Sequence, residues 1–340
     1  MLGGKYVGEG SYGCIFTPIL KCADKPQKIL NPSDNLSYSK ITIAKEAKYE
    51  FSIGKRISEI PIWRNYFVIT ESICKPARIT DIDKNKCSVI NEKKMSELKM
   101  MNMEYGGVSL SNYSYDLNTF DLMGFVTHLI AAGALLNLYG IVHTDLHYGN
   151  ILVDIVPRII DFNLSIDTKN IDLHPHRHDD YYQEPPDSTI ANAIAKGGYD
   201  IDKIISSIID KKAILNKIIN ILQVSRVDMY TSLNNFYQTN IDNLEINTWF
   251  ENYWWKIDSW SIGVIILKII DQNSTSTKFE PILRRHKNVL FPMLKRLVAV
   301  SPVDRIDCVQ ALNYLNPKHF IIKKYSTVWL NIVKDGNIKS

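Results

Sequence analysis

The stretch "HTDLHYGNIL", His143–Leu152, decides how this chain is read. It sets an Asp at 145 and an Asn five residues later at 150, then returns to apolar residues. The segment before it, "LIAAGALLNLYGIV" (129–142), is almost wholly apolar. A buried helix that opens onto a polar loop is the pattern of an active-site edge. The core fixes the backbone, and the loop carries the reactive side chains.

The bulk composition allows a large core. The chain has 340 residues, 45% of them apolar, enough for two domains or one bilobal unit. Charged residues make up 22% and the formal net charge is +4. Basic runs no longer than "KR" or "KK" argue against a dedicated nucleic-acid interface. The most apolar window, Phe125 to Val142, contains Thr127, His128 and Asn137, so it reads as a core helix and not a membrane span. Five cysteines (Cys14, Cys22, Cys74, Cys87, Cys308) form an odd set without CxxC spacing, which predicts free thiols in a reducing compartment. No signal peptide precedes the first motif, which begins within ten residues of Met1. The expectation is a soluble, intracellular, cytoplasmic protein with neither membrane nor nucleic acid as partner.

Along the chain, residues 1–104 read as strand-rich. "KYVGEGSYGCIFTPIL" alternates around a glycine cluster as a hairpin does, and "YFVITESI" and "LKMMNMEY" read as further strands. "EAKYEFSIGKRI" carries a short helical pattern, and "TDIDKNKC" a polar turn. After "YGG" helices dominate, beginning with Asp121 to Tyr139. Paired isoleucines at 204/205, 208/209 and 218/219 mark amphipathic helices.

"GEGSYGCI" places Gly8, Gly10 and Gly13 in GxGxxG spacing, with Ile15 two residues on. Alone this is weak. A dinucleotide-binding turn needs a helix next, whereas "CIFTPIL" reads as a strand, the context of a phosphate-covering hairpin. His143, Asp145 and Asn150 match H-x-D-x-x-x-x-N, and eleven residues after Asn150 comes "DFN", Asp161 to Asn163. "KIDSWSIGV" and "SPVDRI" follow in order. On these motifs the chain resembles the eukaryotic-type protein kinases over nearly its whole length. It is similar in texture to the divergent serine/threonine kinases of large nucleocytoplasmic DNA viruses, which would place it in host cytoplasm or virion.

The resemblance implies an α+β, bilobal fold, with a small β-rich lobe at 1–104 and a larger, mainly helical lobe at 105–340. It implies ATP and Mg²⁺ (or Mn²⁺) as cofactors and a protein hydroxyl as acceptor. Asp145 would orient the hydroxyl, while Asn150 and Asp161 would hold the metal through hard oxygen donors. Gly8, Glu9, Gly10, Ser11, Tyr12, Gly13 and Ile15 would cover the nucleotide, with Leu152 as the floor of the adenine site. Lys40, in the alternating "LSYSKIT", is chosen as the phosphate-gripping lysine over Lys45 and Lys28, with Glu50 as its ion-pair partner. Met103 would be the gatekeeper, and Glu104 to Gly106, including Tyr105, the hinge.

Departures from the family pattern shape the expectation. Tyr38 and Gly54 stand where a small residue over adenine and a large spine residue are usual. Thr144 replaces an Arg that binds activation-segment phosphate, and candidate phosphosites are Thr168, Tyr181 and Ser188. His147 replaces a Lys. Asn163 replaces the Gly of D-F-G, and Asn tolerates left-handed angles. His174, His176 and His178 alternate around Pro175, a pattern that fits a solvated segment better than zinc. Pro185-Pro186-Asp187 resembles A-P-E, with Asp187 expected to pair with Arg305. Seventy residues separate Asp187 from Asp258, and the extra segment at 190–250 is read as added core or as a partner surface. A small-molecule phosphotransferase of the aminoglycoside or choline kinase type and a catalytically inactive scaffold remain alternatives.

Overall fold

The computed structural model describes residues 4–10, 13–24, 37–77, 85–171, 181–197, 200–240 and 245–334. The chain divides into two compact units. Unit 1 comprises residues 1–108 and 152–165, and unit 2 comprises 109–151 and 166–340. The division falls a few residues after the expected 104/105 boundary, and residues 152–165 return to unit 1.

Unit 1 is built on a five-stranded antiparallel sheet: β1 (Lys5–Gly10), β2 (Gly13–Thr17), β3 (Tyr38–Ile43), β4 (Ser72–Cys74) and β5 (Leu98–Met103), in the order β1-β2-β3-β5-β4. The β1–β2 hairpin closes at Gly10 opposite Gly13. A Cβ on Gly13 would lie 2.3 Å from the carbonyl oxygen of Ile41, so the close approach of β2 to β3 requires glycine there. β3 runs directly into α1 (Ala44–Ser58), whose buried face carries Ala47, Glu50, Ile53, Gly54 and Ile57. This is the i, i+3, i+4, i+7 spacing of one helix stripe. A shorter helix, α2 (Ser88–Glu92), precedes β5. Of the expected strand in "YFVITESI", only Ser72–Cys74 is a ladder. Phe67 instead bridges to Ile159, and Val68 N donates to Ile159 O at 3.0 Å.

The cysteines correct the sequence expectation. Cys14 is bonded to Cys87 and Cys22 to Cys74, and only Cys308 is free. Cys14, Cys74 and Cys87 are buried in one apolar cluster with Phe16, Ile41, Leu98 and Met100. Spacing could not show this, because the pairs are 73 and 52 residues apart and meet only when β2 and the segments around β4 and α2 pack together.

Unit 2 centres on two buried helices. α3 (Leu122–Leu138) is capped by Asp121, whose carboxylate accepts from Gly124 N. Gly133 lets it pack tightly, since a Cβ there would come within 2.5 Å of Cys308 Sγ. Beyond α3, β6 (Ile141–Val142) pairs antiparallel with β7 (Ile166–Asp167). α4 (Pro186–Ala195) follows. The segment at 190–250 then forms α5 (Ile201–Lys211), α6 (Ala213–Leu222), α7 (Arg226–Asn240) and α8 (Ile246–Tyr253). Their apolar residues, among them Ile205, Leu215, Leu233, Phe236 and Trp249, are buried, so this segment adds core to unit 2. α9 (Ile257–Asn273) is buried almost all round from Ile257 to Ile270. α10 (Phe279–Leu297), α11 (Cys308–Leu315), α12 (Phe320–Tyr325) and α13 (Thr327–Lys334) complete the unit. Among the described residues, no helix is long and apolar enough to cross a membrane.

Closing loops of these lengths removes chain entropy worth about 4 kcal/mol each, less when both are present because the loops overlap. Iodoacetamide applied to denatured, unreduced protein should label Cys308 alone, and all five cysteines after reduction. Cys14→Ser should lower the unfolding midpoint of unit 1 in denaturant titrations, and Cys308→Ser should leave the labelling of the other four unchanged.

Candidate functional site

Within unit 1, the direct passage from β3 into α1 sets Glu50 back over the strand. Lys40 lies opposite Ile15 on β2 and Met101 on β5 and is nearly buried. Its Nζ is 3.1 Å from Glu50 Oε2 and 2.8 Å from Asp161 Oδ1. Thr70 Oγ1 donates to the other Glu50 oxygen at 3.3 Å. Burial by itself would lower the Lys40 ammonium, but the Glu50 and Asp161 carboxylates outweigh it and raise it above its ordinary value. Burial pushes the Glu50 carboxyl up, against the pull of Lys40. The competing Lys45 lies exposed in the first turn of α1, and Lys28 is outside the described residues.

The residue in the left-handed region is Asp161, at φ 64, and Asn163 has no positive φ. This corrects the expectation that Asn163 would carry the left-handed angle. Phe162 is buried edge-on against Phe67, with centroids 6.0 Å apart. The Asn163 Nδ2 is buried with no hydrogen-bond partner among the described residues.

The glycine-rich hairpin places Gly8, Glu9 and Gly10 on β1 and Gly13 and Ile15 on β2. Ser11 and Tyr12 fall outside the described residues. Among the described residues, a Cβ on Gly8 or Gly10 would meet nothing within 4 Å. That vacant approach to the backbone fits a phosphate-bearing ligand. Glu9 Oε1 accepts from both the N–H (3.0 Å) and the hydroxyl of Ser88, next to the Cys14–Cys87 bond. Glu9 is within reach of those two sulfurs, which are joined to each other.

Met103 ends β5 opposite Tyr38, and Tyr38 stacks on Tyr105 with centroids 6.0 Å apart. The methionine that lies across from Lys40 and receives Thr70 Oγ1 at 3.5 Å is Met101, which the sequence reading passed over. Arg158 was also missed. It donates to Glu104 Oε1 at 2.8 Å and to the Tyr105 carbonyl at 3.0 Å. Gly106 lies so close to Leu152 and Val68 that a Cβ would reach 2.5 Å and 2.8 Å from them. Gly54 faces the Thr70 carbonyl and Ile69 at 3.4 to 3.5 Å, which explains why a large side chain is absent there.

Within unit 2, the loop 143–150 hangs from α9. Asp258 accepts from His143 N at 2.7 Å and from Thr144 N at 3.1 Å. Thr144 has φ 65, unfavourable for a β-branched residue, and these bonds hold it there. Burial pushes the Asp258 carboxyl up, opposed by His143 and the two N–H groups. Asp145 N donates to His143 Nδ1 at 3.3 Å. Asn150 Nδ2 donates to the Asp145 carbonyl at 2.9 Å, which turns its amide oxygen, the atom a hard cation takes, away from that bond. His147 Nδ1 accepts from Gly149 N at 2.9 Å, and its Nε2 is 3.7 Å from Asp145 Oδ2.

Of the candidate phosphosites, Ser188 is buried in α4, the Thr168 hydroxyl donates to Gly140 O at 3.0 Å, and Tyr181 is exposed. His174, His176, Arg177 and His178 lie outside the described residues. Asp187 and Arg305 form a fully buried ion pair. Trp249 Nε1 donates to Asp187 Oδ2 at 3.2 Å and Tyr237 OH to the Asp187 carbonyl at 2.9 Å, both from the added helices.

No family model matches the chain, and no curated protein matches it.

Asp258→Ala removes the buried carboxylate that accepts from both N–H groups and should cost about 3 kcal/mol. Thermal melts should show a clear loss, whereas exposed Lys45→Met should stay within about 0.5 kcal/mol of the parent.

Proposed function

We propose that the chain is an ATP- and Mg²⁺-dependent protein kinase that transfers the γ-phosphoryl group to serine or threonine hydroxyls. The observation that carries this reading is Lys40 Nζ held between Glu50 and Asp161, whose chain positions are 10 and 121 residues away. An ammonium aligned by one buried carboxylate, with a second, partly exposed carboxylate beside it, suits a polyphosphate and its cation. Asp161 in unit 1 and the amide oxygen of Asn150 in unit 2 each offer a hard oxygen donor of the kind Mg²⁺ takes, and the ion would neutralise charge developing on the phosphates. The hairpin glycines admit the phosphates. The hinge offers adenine its backbone, fixed by Arg158. Asp145 accepts the proton of the incoming hydroxyl.

The acceptor is proposed to be a protein because Asp187–Arg305 and the Trp260–Ser261 turn of α9 anchor the segment before α4. The proposed setting is one in which disulfides persist, since two cystines bind the small unit together.

Purified protein should transfer label from radioactive ATP to casein, histone or basic protein in preference to an aminoglycoside. Asp161→Ala should abolish transfer in a protein that still folds, and Lys40→Met should lower it by about a hundredfold or more, while Lys45→Met should stay close to wild type. Aminoglycoside as the sole acceptor would move the reading to a small-molecule phosphotransferase. Near-normal transfer by Asp161→Ala would overturn the site.

A second expectation follows from Thr144. A neutral residue there offers an activation-segment phosphate no guanidinium. Phosphatase-treated enzyme, checked by mass spectrometry, should retain most of its turnover. A loss reversed by rephosphorylation, with Tyr181 the most accessible of the three candidates, would contradict this.

A further inference from the structure

Asp145 receives a hydrogen bond from outside its own loop. Gln183, three residues before α4 begins, is nearly buried, and its Nε2 donates to Asp145 Oδ1 at 2.9 Å. The backbone around it is fixed independently of that side chain. Ser261 Oγ donates to the Gln183 carbonyl at 2.7 Å, and Trp260 Nε1 donates to the Tyr182 carbonyl at 3.0 Å. Tyr148 N donates to Tyr182 OH at 3.3 Å. The Lys268 ammonium lies 3.8 Å from the Tyr182 ring centroid and 4.5 Å from that of Tyr148. α9 therefore holds the segment by its main chain and by Tyr182, and the amide of Gln183 is left to serve Asp145.

The contact divides the two carboxylate oxygens. Oδ1 takes a short hydrogen bond from a neutral amide. Among the described residues, the neighbours of Oδ2 are longer, Asn150 Nδ2 at 3.5 Å and His147 Nε2 at 3.7 Å. A carboxylate pinned through one oxygen cannot rotate freely about its Cβ–Cγ bond, so the other oxygen keeps a fixed direction. A neutral donor does this without placing a cation where it would compete for phosphate.

We propose that Gln183 is a positioning residue for phosphoryl transfer, holding the Asp145 carboxylate so that Oδ2 is the atom offered to the acceptor hydroxyl. This rests on the kinase reading above. In the step it serves, the hydroxyl oxygen forms a bond to the γ-phosphorus and its proton passes to Asp145 Oδ2. The bond from the γ-phosphorus to the β,γ-bridging oxygen breaks, and ADP leaves with the electron pair.

Two variants and one spectroscopic measurement test it. Gln183→Leu removes the donor at similar size, and Gln183→Glu sets a carboxylate against Asp145. Leu should lower kcat about ten- to a hundredfold with the ATP KM unchanged and the melting temperature near the parent, and Glu should lower kcat further. A side chain needed only for packing would not produce that order. In the wild-type protein, NMR should find the Gln183 side-chain amide protons slow to exchange with water, and Asp145→Ala should abolish that protection. Free exchange in the wild type overturns the proposal whether or not the protein transfers phosphate. A Leu variant with wild-type kcat overturns the positioning role while leaving the kinase reading standing. Amide protection in a protein that phosphorylates no acceptor overturns the kinase reading, and the positioning role falls with it.

Discussion

Two backbone N–H groups, those of His143 and Thr144, end on one buried carboxylate, Asp258. Much of unit 2 follows from this constraint. A loop with a threonine in the left-handed region does not hold its shape from local preference, so it has to be fastened to something rigid. The fastening is α9, which is apolar on nearly every side and is surrounded by α3, α6 and α10. The same helix anchors the segment of Tyr182 and Gln183 through Trp260 and Ser261. One helix thus sets the backbone of the loop and the backbone of the residue that reaches Asp145.

Unit 1 solves a different problem, that of keeping an ammonium buried. Lys40 faces two carboxylates, Glu50 and Asp161, which together offset the cost of burying its charge. Removing Glu50 alone would leave the ammonium with less compensation than its burial requires. The sheet that carries Lys40 is small for such a load. Its cohesion comes partly from covalent bonds, and the Cys14–Cys87 bond lies beside the Ser88–Glu9 contact that steadies the glycine hairpin.

The parts legible in the sequence were those with a local signal. Alternation in "LSYSKIT" placed Lys40 on a strand, and the apolar stripe of α1 placed Glu50 on a helix that starts where that strand ends. The added helices at 190–250 showed their isoleucine pairs. What could not be read depends on distant stretches meeting. Arg158 carries no motif, and its contacts exist only because residues 152–165 fold back onto Glu104 and Tyr105 within unit 1. Gln183 looks like any polar residue before a proline pair. The cystines were hidden by their long separations. The left-handed angle fell on Asp161 and not on Asn163, whose amide nitrogen has no partner among the described residues.

The two cystines also bracket a stretch of chain. Cys74 is tied to Cys22 and Cys87 to Cys14, so the residues between 74 and 87 begin and end at covalently fixed points. Both bonds also span the stretch from 22 to 74, since Cys14 and Cys22 lie on one side of it and Cys74 and Cys87 on the other. A single backbone break within that stretch would therefore leave two fragments that stay one covalent molecule until the cystines are reduced.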